Sequence, residues 1–227
     1  MIIGFIPIFE KYFDNMEFRE LLSNFREEPL TRQVILSLLK DYKRPNDKIS
    51  ELVKSGWLIS LKNGLYVPGP SSKVPRPELM LIANHLWGPS YVSMETALSY
   101  WGLIPERVYE TASVTVKRSR LFKTELGRFS YRNSPLPYYS LGIRTIELSP
   151  RQAVMIGTPE KAICDKIIFT SGVNLRSVKQ VLDFLVSDLR IDGNSIKNLD
   201  IESIQTISSL APKKTSLQML IKSISEL

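Results

Sequence analysis

The chain has 227 residues, of which 43% are hydrophobic and 23% charged, and it carries a net charge of +7. That much apolar material fills a real core and excludes a mainly disordered state; at roughly 150 residues per domain the length fits one large domain or two small ones. A single cysteine, Cys164, excludes a disulfide framework and any CxxC site, and a single histidine, His85, excludes His-cluster metal sites.

The opening segment, Met1 to Glu10, is apolar but short, lacks a basic leader and ends in Glu-Lys. A membrane span needs about 20 apolar residues, so we expect a buried first strand or a docking arm, with no membrane partner. The lone cysteine and the lack of a signal point to the cytoplasm. The positive charge is concentrated in two places. Residues 40–76 hold 8 basic and 3 acidic side chains, and residues 107–132 hold 7 basic and 2 acidic. Residues 1–39, by contrast, hold 4 basic and 6 acidic. Those two basic segments are where a polyanionic partner would be bound.

Phe18, Leu21, Leu22 and Phe25 recur at helical spacing over residues 16–25, and Pro29 ends that segment. Thr31 suits the N-cap of a second helix with Val34, Ile35, Leu38 and Leu39 on one face. After a basic turn, Pro45 sits well as the first residue of a third helix, because its missing N–H needs no partner there. Ile49, Leu52 and Val53 give that helix a narrow apolar stripe, and Gly56 suits its C-terminal end. Asn63-Gly64 between two apolar runs is a strong hairpin signal over residues 57–67. Three short helices and a hairpin predict a winged helix-turn-helix, whose third helix enters the major groove while the hairpin lies on the DNA backbone.

At about 100° per residue, Asp47, Ser50, Glu51 and Lys54 point outward from that helix, with Arg44 and Lys48 at its flank. Arg44, Lys48, Lys54 and Lys62 are placed to neutralise phosphates, joined by Lys73 and Arg76, and Asn46 and Ser50 to reach base edges. Two of the outward residues are acidic, so the alternative is a winged helix that only docks onto another protein or onto the second domain. Four prolines and a glycine over Pro68 to Pro77 predict an extended linker, and we set a boundary between domains 1–76 and 77–227 there.

In the second domain an apolar helix spans residues 78–87, with His85 among apolar neighbours. A further helix starts at Ser90, capped by Ser90 or Ser93, and ends near Trp101-Gly102. Strands are expected over 108–116, 129–132, 142–148 and 152–156. Between the first two lies a basic hairpin or loop carrying Lys117, Arg118, Arg120, Lys123, Arg128 and, just beyond, Arg132; a solvated edge strand gives the same pattern. Thr158-Pro159-Glu160 opens a helix by rule, which explains Glu160 without catalysis, and Cys164 sits mid-helix as a structural residue. Helical periodicity resumes from Leu175, breaks at Gly193, and returns from about Thr215. The fold class is therefore α+β: a winged helix followed by a larger mixed α/β domain with C-terminal helices. With no paired acidic motif on a strand, no Gly-Ser nucleotidyltransferase signature, no P-loop and no GxGxxG, we expect neither an enzyme nor a bound cofactor or metal.

Three blocks carry a family likeness. Tyr91-Val-Ser-Met-Glu-Thr-Ala-Leu-Ser-Tyr-Trp-Gly-Leu-Ile-Pro-Glu-Arg107 resembles the start of the C-terminal domain of AbiEi-type antitoxins. Thr115-Val-Lys-Arg-Ser-Arg120, Gly157-Thr-Pro-Glu-Lys-Ala-Ile-Cys-Asp165 and the N-terminal winged helix ending in Gly-Leu-Tyr resemble the same family, over roughly residues 30–170. The resemblance implies a component of a type IV toxin–antitoxin system in phage defence. The winged helix would repress its own operon by binding double-stranded operator DNA. The C-terminal domain would counteract a nucleotidyltransferase-like toxin encoded alongside, without a stable complex. On that reading Lys117, Arg118, Arg120, Lys123, Arg128 and Arg132 form an antitoxicity surface.

Overall fold

A computed structural model describes residues 16–106 and 108–227, so the expected N-terminal arm lies outside the described residues. The fold is mixed α and β, with a three-stranded and a six-stranded sheet among the described residues. The chain divides into two compact units. The first runs through Ile82 and takes in Ser149–Gln152; the second comprises Ala83–Leu148 and Ala153–Leu227.

In the first unit, residues 16–23 form helix α1. β1 (Leu30–Thr31) leads into α2 (Arg32–Leu38), where the Thr31 hydroxyl accepts from the Val34 N–H as the expected cap. α3 (Pro45–Lys54) starts on its proline, and Asn63-Gly64 turns β2 (Leu58–Lys62) into β3 (Leu65–Pro68). Gly64 has φ +83°, the left-handed backbone that such a turn requires and a side chain resists. The sheet order is β1-β3-β2; the two-residue β1 escapes a periodicity reading because it is too short to alternate. Phe18, Leu22, Ile35, Leu39, Leu52 and Leu58 close a dry core, each contributing about 1.5–3 kcal/mol by burial.

The proline-rich stretch is not a free linker. Pro68 ends β3, residues Pro70–Ser72 make one 3-10 turn, and Val74 packs into the core of this unit. The two compact units part between Ile82 and Ala83, inside α4 (Leu79–Leu86). Proline bars regular hydrogen bonding but not burial, and Val74 supplies apolar area that the count of prolines hides.

The second unit is built on a sheet of order β6-β7-β5-β4-β9-β8. Its strands are β4 (Ser90–Val92), β5 (Glu110–Thr115), β6 (Arg120–Thr124), β7 (Gly127–Asn133), β8 (Ile143–Ser149) and β9 (Gln152–Gly157). Residues 90–92 are strand, not the start of a helix. Tyr91 and Val92 favour strands and are fully buried in mid-sheet, so α5 begins only at Met94 (Met94–Tyr100). Ser93 stands at its N-cap but makes no capping bond; its hydroxyl is drawn to Asp165 instead. A short α6 (Leu136–Tyr139) follows β7. α7 (Pro159–Phe169) is capped by Thr158 as expected, with the hydroxyl accepting from the Lys161 N–H.

The C-terminal part is helical throughout: α8 (Val178–Leu182) continues into a π-helical turn, Asp183–Asp188, followed by α9 (Gly193–Lys197), α10 (Ile201–Ser209) and α11 (Lys214–Ser225). Gly193 opens α9 instead of breaking a helix, because the Asp192 carboxylate accepts from the N–H groups of Asn194 and Ser195. Lys213 donates to the carbonyls of Ile167, Thr170 and Val173 at 2.7–3.0 Å, closing the end of α7, and burial lowers its pKa.

Candidate nucleic-acid interfaces

In the first unit the outer side of α3 carries Arg44, Asn46, Asp47, Ser50 and Lys54, all exposed. Charge there is interleaved. Arg44 lies 3.8 Å from Asp47, one turn on. Lys48 is not at the solvent flank: it is 9% exposed, 3.5 Å from Glu51, with its ammonium 5.2 Å from the Tyr42 ring centre. Its stem packs like an apolar side chain and its head is spent on two local partners. Asn46 is partly committed as well, since its Oδ1 accepts from Arg32 at 2.8 Å. Ser50 donates to the Asn46 carbonyl at 3.1 Å. Lys62 is half-buried near the hairpin tip. Sequence reasoning passed over Arg32, the first residue of α2, because its partner lies 14 positions away and leaves no local signal.

In the second unit all six predicted cations are exposed, yet they do not form one surface. Partners across a ladder share a face of the sheet. Arg120 pairs with Tyr131 and Phe122 with Phe129, so those four share one side. There Trp87 holds the cations in place: Arg120 lies 4.7 Å and Lys117 5.1 Å from its ring centre, and its indole N–H donates to the Arg118 carbonyl at 3.0 Å. Lys123 pairs with Arg128, and Leu121 with Ser130, on the opposite side. Arg132 shares that side, two residues beyond Ser130. A groove of about 350 Å³ crosses it, lined by Glu110, Ser119, Leu121, Arg128, Ser130 and Arg132 among others. Arg128 pairs with Glu110 at 3.2 Å. Asn133 fixes the approach to β6 by donating to the carbonyls of Val116 and Lys117.

Beneath this sheet lies a buried ionic cluster. Asp165, fully buried on α7, accepts from the hydroxyls of Tyr91 (2.9 Å), Ser93 (2.6 Å) and Tyr138 (2.7 Å). Lys161, also fully buried, lies 3.5 Å from Asp165 and donates to the Tyr138 carbonyl at 2.8 Å. Burial pushes the Asp165 carboxyl up, against the pull of Lys161 and the three hydroxyls. Burial likewise pulls the Lys161 ammonium down and raises the Cys164 thiol. Every donor points at a partner inside the cluster, so it reads as a structural pin. Glu160, in the first turn of α7, accepts from the Asp200 N–H at 3.2 Å. A second cavity of about 450 Å³ is acidic, with Glu95, Glu106, Glu110 and Asp188 on its wall and Glu95 paired to Lys166. Among the described residues no group of three or more His, Cys, Asp or Glu side chains converges to hold a metal ion, and no helix is long and apolar enough to cross a membrane.

No protein-family model matches the chain, and no curated protein matches it.

Proposed function

We propose that the protein is a DNA-binding antitoxin that represses its own operon and counteracts a nucleotidyltransferase-like toxin encoded beside it. In this reading residues 16–68 are a winged helix-turn-helix, α3 is the recognition helix and the β2–β3 hairpin is the wing. The observation that carries it is the exposed side of α3: Arg44, Asn46, Asp47, Ser50 and Lys54 line the solvent side of a helix packed against α2 and β2. Arg44, Lys54 and Lys62 then neutralise phosphates, while Asn46 and Ser50 face base edges. Lys48 has no place in that contact; it braces α3 from beneath. The antitoxin role and the AbiEi-type family rest on the three sequence blocks, and a cytoplasmic location on the lone cysteine; the cations on the two sides of β6 and β7 are the part that acts against the toxin.

The test is fluorescence anisotropy with the duplex upstream of the chain's own reading frame, at 100 mM salt. The wild-type chain binds, and the Arg44→Glu/Lys54→Glu/Lys62→Glu variant loses at least a hundred-fold in affinity. Equal binding by the variant refutes the assignment. Co-expression with the neighbouring toxin tests the second half: growth is restored by the wild-type chain and by the triple variant alike. A second reading, a winged helix that docks only on protein, draws support from the ion pairs of Asp47 and Glu51 along α3. Absence of any duplex binding by the wild-type chain is the outcome it requires.

A further inference from the structure

We propose that the open side of β6 and β7 is a binding site for the backbone of a single-stranded polynucleotide. The site is the side of the sheet that carries Lys123, Arg128 and Arg132, and its ligand class rests on the proposed functional role of those cations.

The first reason is that this face is uncovered where a sheet ordinarily buries. β7 is an interior strand, hydrogen-bonded to β6 on one side and β5 on the other. Charges that guard an edge against aggregation belong on the edge strand. Arg128 and Arg132 stand on the interior strand, so edge protection does not account for them. On β5 the same side is closed over Ala112 and Val114, which join Tyr91, Met94 and Tyr139 in a core. On β7 and β6 it is open, and Leu121 is 45% exposed there.

The second reason is spacing. Arg128, Ser130 and Arg132 alternate along one strand, so successive side chains on this face stand about 6.6 Å apart and the two guanidiniums about 13 Å apart. Such a row of donors matches an extended chain of phosphates, with Ser130 as a hydroxyl donor between two charged forks. Lys123, directly across from Arg128, widens the row. Glu110, held by Arg128, is the carboxylate lining the groove and closes one end.

The third reason is shape. A protein reads duplex DNA by inserting a protruding element into a groove about 12 Å wide. This surface is recessed, so it takes in a strand and presents nothing to insert. The rings that could intercalate are occupied: Trp87 and Phe122 lie on the opposite side, covered by Lys117 and Arg120. Recognition therefore follows the backbone and not the bases, which makes it tolerant of sequence.

The experiment is anisotropy on the full chain with three labelled probes: a 12-nucleotide RNA, DNA of the same sequence, and the operator duplex from upstream of the chain's own reading frame. Both single strands bind with a salt slope of roughly −2, about 0.7 per phosphate for contacts to Arg128, Arg132 and Lys123. Arg132→Glu/Lys123→Glu, two exposed substitutions, weakens both single strands at least ten-fold and leaves operator duplex binding and the melting temperature unchanged. The first-unit variant Arg44→Glu/Lys54→Glu/Lys62→Glu does the reverse. A preference for RNA over DNA assigns the site to RNA; equal affinity assigns it to the shared phosphodiester backbone. Unchanged single-strand binding in Arg132→Glu/Lys123→Glu, or no single-strand binding by the wild-type chain, overturns the proposal, and the duplex arm shows separately whether the operator reading stands.

Discussion

The two basic regions are equal by count of charge and differ in what their cations do. On α3 cations alternate with acids one turn apart, so Arg44 meets Asp47 and Lys48 meets Glu51. On β6 and β7 the period of two sends neighbours in sequence to opposite sides of a sheet. One side gathers Lys123, Arg128 and Arg132 with Glu110 as their near carboxylate, and the other stacks Lys117 and Arg120 on Trp87. The same net charge thus gives a mixed, partly self-paired helix face and a nearly uniform sheet face. The supports differ too. The first unit stands on an apolar core, whereas the sheet of the second adds the buried Lys161–Asp165 cluster to its apolar one.

The largest expected effect sharpens the contrast in support. Asp165→Ala strips an acceptor from three hydroxyls and leaves Lys161 buried without its carboxylate, which costs about 3–5 kcal/mol. Thermal unfolding followed by near-ultraviolet circular dichroism checks it, and a change under 1 kcal/mol would break the claim that this cluster pins the sheet. Lys161→Met costs less, about 2 kcal/mol, because Asp165 keeps its three donors and can take up a proton. The sign with pH follows. Without Lys161 the folded-state pKa of Asp165 rises further above its unfolded value, so the stability deficit is smallest near pH 4 and grows as pH rises through the raised folded value.

A smaller effect separates the cations of α3. Lys54→Met lowers the salt slope of duplex binding by about 0.9, the share of one phosphate contact. Lys48→Met leaves that slope as it was and shifts stability by less than about 1 kcal/mol, since the methionine stem fills the same space beside Tyr42. An equal fall in slope for both variants would mean that Lys48 leaves its pocket on binding. The smallest expected effect is at the cap of α10. Hydrogen bonds from Ser203 and from the N–H of Glu202 hold the Asp200 carboxyl below its usual range. Its stabilisation is present above the unfolded pKa and fades as pH falls through the folded one, so the melting-temperature gap between wild type and Asp200→Ala closes in acid.

The elements of the first unit were largely readable from sequence, because their signals are local. Thr31, Pro45 and Asn63-Gly64 fix chain direction by cap, first-turn proline and turn chemistry within a few residues each. The second unit was readable where such markers recur, as at Thr158-Pro159, and opaque where tertiary context decides. Ser90–Val92 begins like a capped helix and becomes a central strand because burial on both sides rewards Tyr91 and Val92. Gly193 looks like a breaker and instead follows a capping aspartate. At the sites, helical geometry placed Lys48 near the surface, but only the packed structure shows Tyr42 and Glu51 holding it. The separation of six cations onto two sides of a sheet needed the strand register, which a charge count does not contain. The Lys161–Asp165 cluster escaped the sequence, because an i, i+4 charge pair also fits a solvated helix face and its three hydroxyl donors come from distant segments.

The most direct test of the central claim is a titration of the isotopically labelled full chain with its upstream duplex, followed by amide chemical shifts. The account predicts perturbations concentrated at Arg44, Asn46, Ser50, Lys54 and Lys62, fading at twice the salt concentration. Shifts absent from that helix and hairpin while the duplex remains bound would contradict it.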